Sequence, residues 1–308
     1  MLVRSLLLAS FVCCLLPAAD IFAEPAGGWP AAPTGGGSFD LASRGIAGSR
    51  ILLSVPESYR PAEAHPLAIV LHGGPGGRPE AMAGVYRRLL DARGVISAYP
   101  QALRAQLLDW NYPHTTAYLL HLVREIASRY RLDPRRIYLL GHSMGGGGTW
   151  AQGAVLADLW AGLGPSSGWA VPTPAPDFRR LAGMPIWCIH GSADQAVPIA
   201  LSRLAFERLA ATRQPQRILA ERPADLAGLD RVRHILRELP GVGHNVFDPR
   251  ETLGGPELSL QLDWLLAQRR AQPPDLPAAM REMTAWGEQF GWKPDERLGV
   301  YADEAAAR

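Results

Sequence analysis

The chain has 308 residues, is 47% hydrophobic and 19% charged, and carries a formal net charge of +2. That length buries a sizeable core in one large domain or two small ones. A charge this close to neutral excludes a strongly basic nucleic-acid surface and an anionic-membrane binder.

In chain order, the first feature is Arg4 followed by an apolar run over 6–16 that is too short to span a bilayer. Small residues follow it, with Ala23 as the cleavage point, so residues 1–23 read as a signal peptide. The mature chain is then expected in a secreted or periplasmic compartment, with no stable membrane insertion. Cys13 and Cys14 leave with that segment, and Cys188 is the one cysteine of the mature chain. No intramolecular disulfide is available to it, and Cys188 in Ile186-Trp187-Cys188-Ile189 reads as a small buried hydrophobe.

Residues 24–40 are rich in Gly, Pro and Ala and read as a flexible linker. From residue 50, short apolar runs alternate with helical patterns. That rhythm is the mark of an α/β domain with a mostly parallel central sheet and helices on both faces. The expected strands are 51–55, 68–71, 95–99, 137–140, 159–163, 185–189 and 235–239. Several are apolar without alternation, as strands buried on both faces are. The clearest helices are expected over 115–130 and 257–270. Between 163 and 185 there is room only for a Pro-rich loop over 171–176 and one helical turn near 178–181, so no large lid is expected. The domain is bounded at 41–270. The extension over 271–308 contains a short helical pattern at 277–290 and carries no functional reading.

Four strand ends carry chemistry. In Leu140-Gly141-His142-Ser143-Met144-Gly145 a strand ends, a sharp turn presents Ser143, and a small-residue helix begins. A serine in such a turn is strained and projects its hydroxyl above the sheet, which marks a candidate nucleophile. A second match to the same pattern, Gly164-Pro165-Ser166-Ser167-Gly168, is followed by prolines where a helix should start, so Ser166 reads as a loop residue. After the strand at 68–71 comes His72-Gly73-Gly74-Pro75-Gly76-Gly77. An acyl-transfer site needs backbone N–H donors aimed at the developing oxyanion. Met144 is expected to supply one and Gly74 the other, since Pro75 has no N–H. His72 reads as a structural residue that holds this loop.

The third segment, Gly191-Ser192-Ala193-Asp194, places Asp194 where it orients an imidazole and stabilises its cation. His190, at the strand end itself, reads as structural. The fourth, Gly241-Val242-Gly243-His244-Asn245, puts His244 on a glycine-rich loop after the last expected strand, as the candidate base. His234 enters that strand and is expected to pack. No zinc spacing is present, and no cofactor or metal is expected.

With these residues in place, the stretches Asp133-Pro134-Arg135-Arg136-Ile137-Tyr138, Gly141 to Gly146 and Asp263-Trp264-Leu265-Leu266 resemble the dienelactone-hydrolase and prolyl-oligopeptidase-like branch of the α/β-hydrolases. The resemblance spans roughly residues 50–270. It implies the α/β-hydrolase fold, a Ser143–Asp194–His244 triad and serine-hydrolase chemistry; export and an open site point to small-molecule or polymeric esters, and the near-neutral charge to no nucleic-acid partner. The branch mixes esterases with peptidases, so peptide-bond cleavage is the alternative, and an inactive binding protein on the same fold is a third reading. Two departures stand out. Phe247 takes the place of an expected Trp after the histidine, and Pro75 also occurs at this point in proline iminopeptidases.

Overall fold

Strands that are apolar on both faces need helices on both sides, and alternation along each strand assigns its side chains to one layer or the other. In the computed structural model the described residues are 22–25, 27–29, 33–41, 46–104, 109–170, 177–221, 225–247, 254–274, 293–295 and 300–302. Residues 1–21 of the expected signal peptide, the 171–176 loop, the 277–290 helical pattern and most of the 271–308 extension lie outside them.

The strands are β1 (Gly35–Leu41), β2 (Ile46–Val55), β3 (His65–Leu71), β4 (Ile96–Pro100), β5 (Leu132–His142), β6 (Gly162–Ser166), β7 (Ile186–Gly191), β8 (Gln216–Leu219) and β9 (His234–Leu239). They form one nine-stranded sheet in the order β1-β2-β4-β3-β5-β6-β7-β9-β8. The β1/β2 and β2/β4 pairs are antiparallel. Every pair from β4/β3 to β9/β8 is parallel. A separate antiparallel pair, β10 (Lys293–Asp295) and β11 (Val300–Ala302), lies in the C-terminal extension.

Helices α1 (Pro79–Asp91) and α5 (Gly254–Ala267) cover one face, and α2 (Pro113–Ala127), α3 (Met144–Val155) and α4 (Ala200–Ala210) the other. The strands divide accordingly. Leu67, Ile69, Leu71, Leu139, Ile186 and Cys188 join the α2–α3–α4 layer. Their neighbours Ala68, Val70, Tyr138, Leu140, Trp187 and Ile189 join the α1–α5 layer. Cys188 is fully buried, and burial pushes its thiol up to about 12, so it packs as the sequence suggests.

Several sequence expectations are corrected. Residues 35–40 of the span read as a linker belong to the edge strand β1 (Gly35–Leu41), paired with β2. Its Gly-Gly-Gly start hid it, because glycine has little strand preference and the neighbouring strand supplies the order. β6 starts at Gly162 rather than at 159, because its Gly-Leu-Gly-Pro-Ser sequence is made strand-like only by burial between β5 and β7. Ser166, read as a loop residue, closes that strand and is fully buried. The helix expected over 115–130 begins at Pro113, whose missing N–H suits the first helical position, and ends at Ala127. Residues 178–184 form successive turns. Among the described residues no helix stands between β6 and β7.

β3 pairs with β4 on one side and β5 on the other. The chain therefore leaves β3 toward one edge of the sheet and later resumes toward the opposite edge. Loops at the carboxyl ends of strands diverge at such a reversal and leave a crevice. The loops after β3 and β5 are the two glycine-rich segments singled out above.

Candidate active site

The turn after β5 is shaped by strain and by close approach. Ser143 has φ 56° and ψ −118°, a backbone state non-glycine residues seldom adopt, and it directly precedes α3. Such a conformation costs on the order of 1–3 kcal/mol and persists only where surrounding contacts fix it. Here the Ser143 N–H donates to the Ser166 carbonyl (2.9 Å) and its carbonyl accepts from Gly147 (3.0 Å). A Cβ at Gly141 would stand 2.3 Å from the Gly145 oxygen, and one at Gly145 would stand 2.2 Å from the Leu71 oxygen. Both glycines let three backbones meet where a methyl group has no room.

Ser143 Oγ lies 2.8 Å from His244 Nε2, and His244 Nδ1 lies 2.7 Å from Asp194 Oδ2. A carboxylate only accepts, so Nδ1 carries the imidazole proton and Nε2 is left to accept from the serine hydroxyl. Residues 101 and 50 positions apart thus meet in one hydrogen-bonded row.

Asp194 is held from both oxygens. Its Oδ1 accepts the Ala196 N–H (2.9 Å) and the Val197 N–H (2.8 Å). Its Oδ2 also faces His190 Nε2 at 3.2 Å. Burial opposes charge on this carboxyl, but the Val197 N–H and the His244 ring outweigh it and hold the pKa below the ordinary value. The Asp194 side chain has no exposure, whereas that of His244 is 28% exposed. The base therefore meets solvent and the acid does not.

The remaining predicted residues surround this row. Met144, buried, is the first residue of α3, where helix amides lack intrahelical partners. Gly74 sits in the left-handed region at φ 63°. The loop presses on the nucleophile at Gly73, where a Cβ would lie 3.0 Å from Ser143 Cβ. His72 holds that loop as expected: its Nδ1–H donates to the Gly73 carbonyl (3.0 Å) and its Nε2 accepts from Ala102 N–H (3.0 Å). His190 donates from Nε2 to the Val197 carbonyl (2.8 Å) and pairs through Nδ1 with Ser202 Oγ (2.7 Å). His234 packs in the core against the Leu181 carbonyl.

Sequence reasoning missed His142. Its Nε2–H donates to the main-chain carbonyl of His244 (2.9 Å), and its ring lies 5.0 Å from that of His244. The Gly-x-Ser-x-Gly spacing around Ser143 leaves this position free, so no sequence signal marks it. Phe247, noted above as a departure, packs on His142 (5.4 Å) and on Tyr86 of α1 (5.5 Å). Among the described residues no group of three or more His, Cys, Asp or Glu is arranged to hold a metal ion.

Four of these histidines make the fold acid-sensitive. Burial drives the His142 pKa down to about 4 and lowers those of His72, His190 and His234. Each titrates near 6.5 once unfolded, so between those values the unfolded chain binds more protons and stability falls as pH falls. For His142 the full contribution is present above pH 6.5 and is lost toward pH 4; the other three act in the same direction. His142 alone accounts for about 3 kcal/mol. Thermal melts at pH 7.5, 5.5 and 4.5 should give a steadily decreasing Tm. A flat Tm across that range contradicts the buried neutral state of these rings.

No family model matches the chain. A protein named "Putative esterase NocK" from Nocardia uniformis subsp. tsuyamanensis is 31% identical over 150 residues, 44% of this chain and 42% of that protein. The bifunctional acetylxylan esterase/xylanase XynS20E of Neocallimastix patriciarum is 26% identical over 154 residues, 49% of this chain and 22% of that protein. The chain thus spans less than half the length of either relative. The apo form of Thermogutta terrifontis esterase 2 superposes with a TM-score of 0.56 at 16% identity, covering 76% of this chain and 94% of that one. The sheet order, the strained strand-to-helix turn and this likeness show that the chain has the α/β-hydrolase fold.

Proposed function

We propose that this chain is an exported serine hydrolase that cleaves carboxylic esters through an acyl-enzyme. The observation that carries the reading is the unbroken row Ser143 Oγ, His244 Nε2, His244 Nδ1, Asp194 Oδ2 at 2.8 and 2.7 Å. The His244 imidazole takes the Ser143 proton as Oγ attacks the ester carbonyl, and Asp194 stabilises the resulting imidazolium. The N–H groups of Gly74 and Met144 receive the oxyanion. Collapse of the tetrahedral intermediate expels the alcohol, which takes its proton from His244. Water, deprotonated by the same imidazole, then releases the acid and restores Ser143.

The esterase names of both sequence relatives support ester over peptide substrates, and acetylated polysaccharide in one of those names suits an exported enzyme. The part of the β6–β7 connection that is described contributes no helical cap, which favours bulky or polymeric esters. An amine is also a poorer leaving group than an alkoxide.

The test uses the purified chain, a fluorophosphonate probe with peptide mapping, and matched p-nitrophenyl esters and aminoacyl p-nitroanilides. Labelling at Ser143 and faster ester turnover are expected. No labelling of folded protein would favour an inactive binding protein. Anilides cleaved faster than matched esters would make the chain a peptidase.

A further inference from the structure

We propose that His142 is a positioning residue that fixes the base-bearing loop over the nucleophile through the His244 main chain. This inference rests on the serine-hydrolase reading and adds to it a component that the Ser–His–Asp row does not contain.

His142 is the residue immediately before Ser143 and the last residue of β5. The strand that presents the nucleophile therefore also sends out the group that grips the base. Its Nε2–H donates to the carbonyl of His244 at 2.9 Å, and the same carbonyl accepts from Val246 N–H at 3.1 Å. His244 is thus held at three points: Nδ1 by Asp194, Nε2 by Ser143, and its own backbone by His142. Two ring contacts alone leave an imidazole free to swing about an unanchored main chain. The third contact removes that freedom.

The His142 ring is itself wedged. Phe247, on the far side of the base loop, lies 5.4 Å from it, and Tyr86 backs Phe247. On the other side a Cβ at Gly73 would stand 3.5 Å from His142 Nδ1 and 3.1 Å from its carbonyl oxygen. The His142 side chain therefore grips the base loop while standing beside the loop expected to hold the oxyanion, where only a glycine leaves it room. The base loop is fastened at its start, where Ala193 N–H donates to the Val242 carbonyl and Ser192 Oγ accepts from Gly241 N–H. His142 acts two residues further on, at the catalytic position itself.

A neutral ring suits this task. Burial keeps His142 uncharged at neutral pH. The carbonyl of His244 can only accept, so the proton sits on Nε2 and Nδ1 is bare. A cation there would stand beside the imidazolium that forms during acyl transfer and oppose it. Histidine thus supplies an N–H, a flat ring for Phe247, and no charge.

The test compares His142→Phe, which keeps a ring without the donor, with His142→Gln, which keeps an N–H donor. kcat and KM are measured on p-nitrophenyl acetate, with Tm and long-range proton–nitrogen spectra of the histidine rings. Misplacing a reacting group by about 1 Å costs on the order of 100-fold. His142→Phe should lower kcat about 10- to 100-fold at nearly constant KM, with His142→Gln recovering most of the loss. In wild type, His142 should show the Nε2–H tautomer. In His142→Phe, the His244 Nδ1–H resonance should lose the signature of its bond to Asp194.

Wild-type kcat in His142→Phe overturns the proposal. So do equal losses in both variants with an unchanged His244 spectrum. Failure of the underlying reading is a separate result, namely wild-type protein that neither turns over esters nor labels with fluorophosphonate. The ring spectra still judge the role of His142 in that case.

Discussion

Replacing Ser143 with alanine is expected to lower kcat on p-nitrophenyl esters by about 10⁶-fold while leaving the fold intact. The serine hydroxyl contributes one hydrogen bond, to His244 Nε2, at a site the solvent already reaches. Alanine carries the same backbone penalty at φ 56°, so Tm should change little. The residual rate should stay about 10³–10⁴ above the uncatalysed reaction, because the oxyanion donors and substrate binding do not depend on that hydroxyl. Steady-state assays with a circular dichroism melt check both halves. Turnover within about tenfold of wild type would remove Ser143 from the chemistry.

Asp194→Asn should cost about 10⁴-fold in kcat, through the tautomer rather than through shape. The amide oxygen can still accept from Ala196 and Val197, which already bond Oδ1. Its NH₂ group must then face His244 Nδ1, where a carboxylate oxygen stood at 2.7 Å. A donor there moves the imidazole proton to Nε2, and an Nε2–H cannot accept from Ser143. The same NH₂ also meets the N–H of His190, 3.2 Å from Oδ2 in the native protein, so Tm should fall modestly as well. A loss of kcat below about tenfold would show that the imidazole keeps its proton on Nδ1 without the carboxylate.

The sequence made the centre of the sheet legible and its margins less so. β3, β7 and the 137–140 stretch of β5 are short apolar runs that lead into glycine turns, and a buried strand of that kind is recognisable by itself. The four strand-end segments were legible for a related reason. Glycines at 141 and 145 answer to local backbone contact, and such contact leaves a sequence trace. β1 and β6 left none. Gly-Gly-Gly and Gly-Leu-Gly-Pro-Ser become strands because a neighbour offers hydrogen bonds, which no local propensity reports. Helices α1 and α4 were not singled out from the sequence, although Met82, Tyr86 and Leu90 recur along α1 at helical spacing. His142 was illegible as a site component because its contact is tertiary, 102 positions along the chain, whereas His190 reaches Asp194 from only four residues away.

The three polar groups of the site depend on parallel strands that pair in the order β5, β6, β7, β9. His244 follows β9, which docks on β7 from Ile186↔His234 to Gly191↔Leu239. Until that last ladder closes, the imidazole has no fixed place relative to the hydroxyl. Forms of the chain in which β9 has not docked on β7 are therefore expected to be chemically silent, and the onset of ester turnover during refolding should report closure of that ladder.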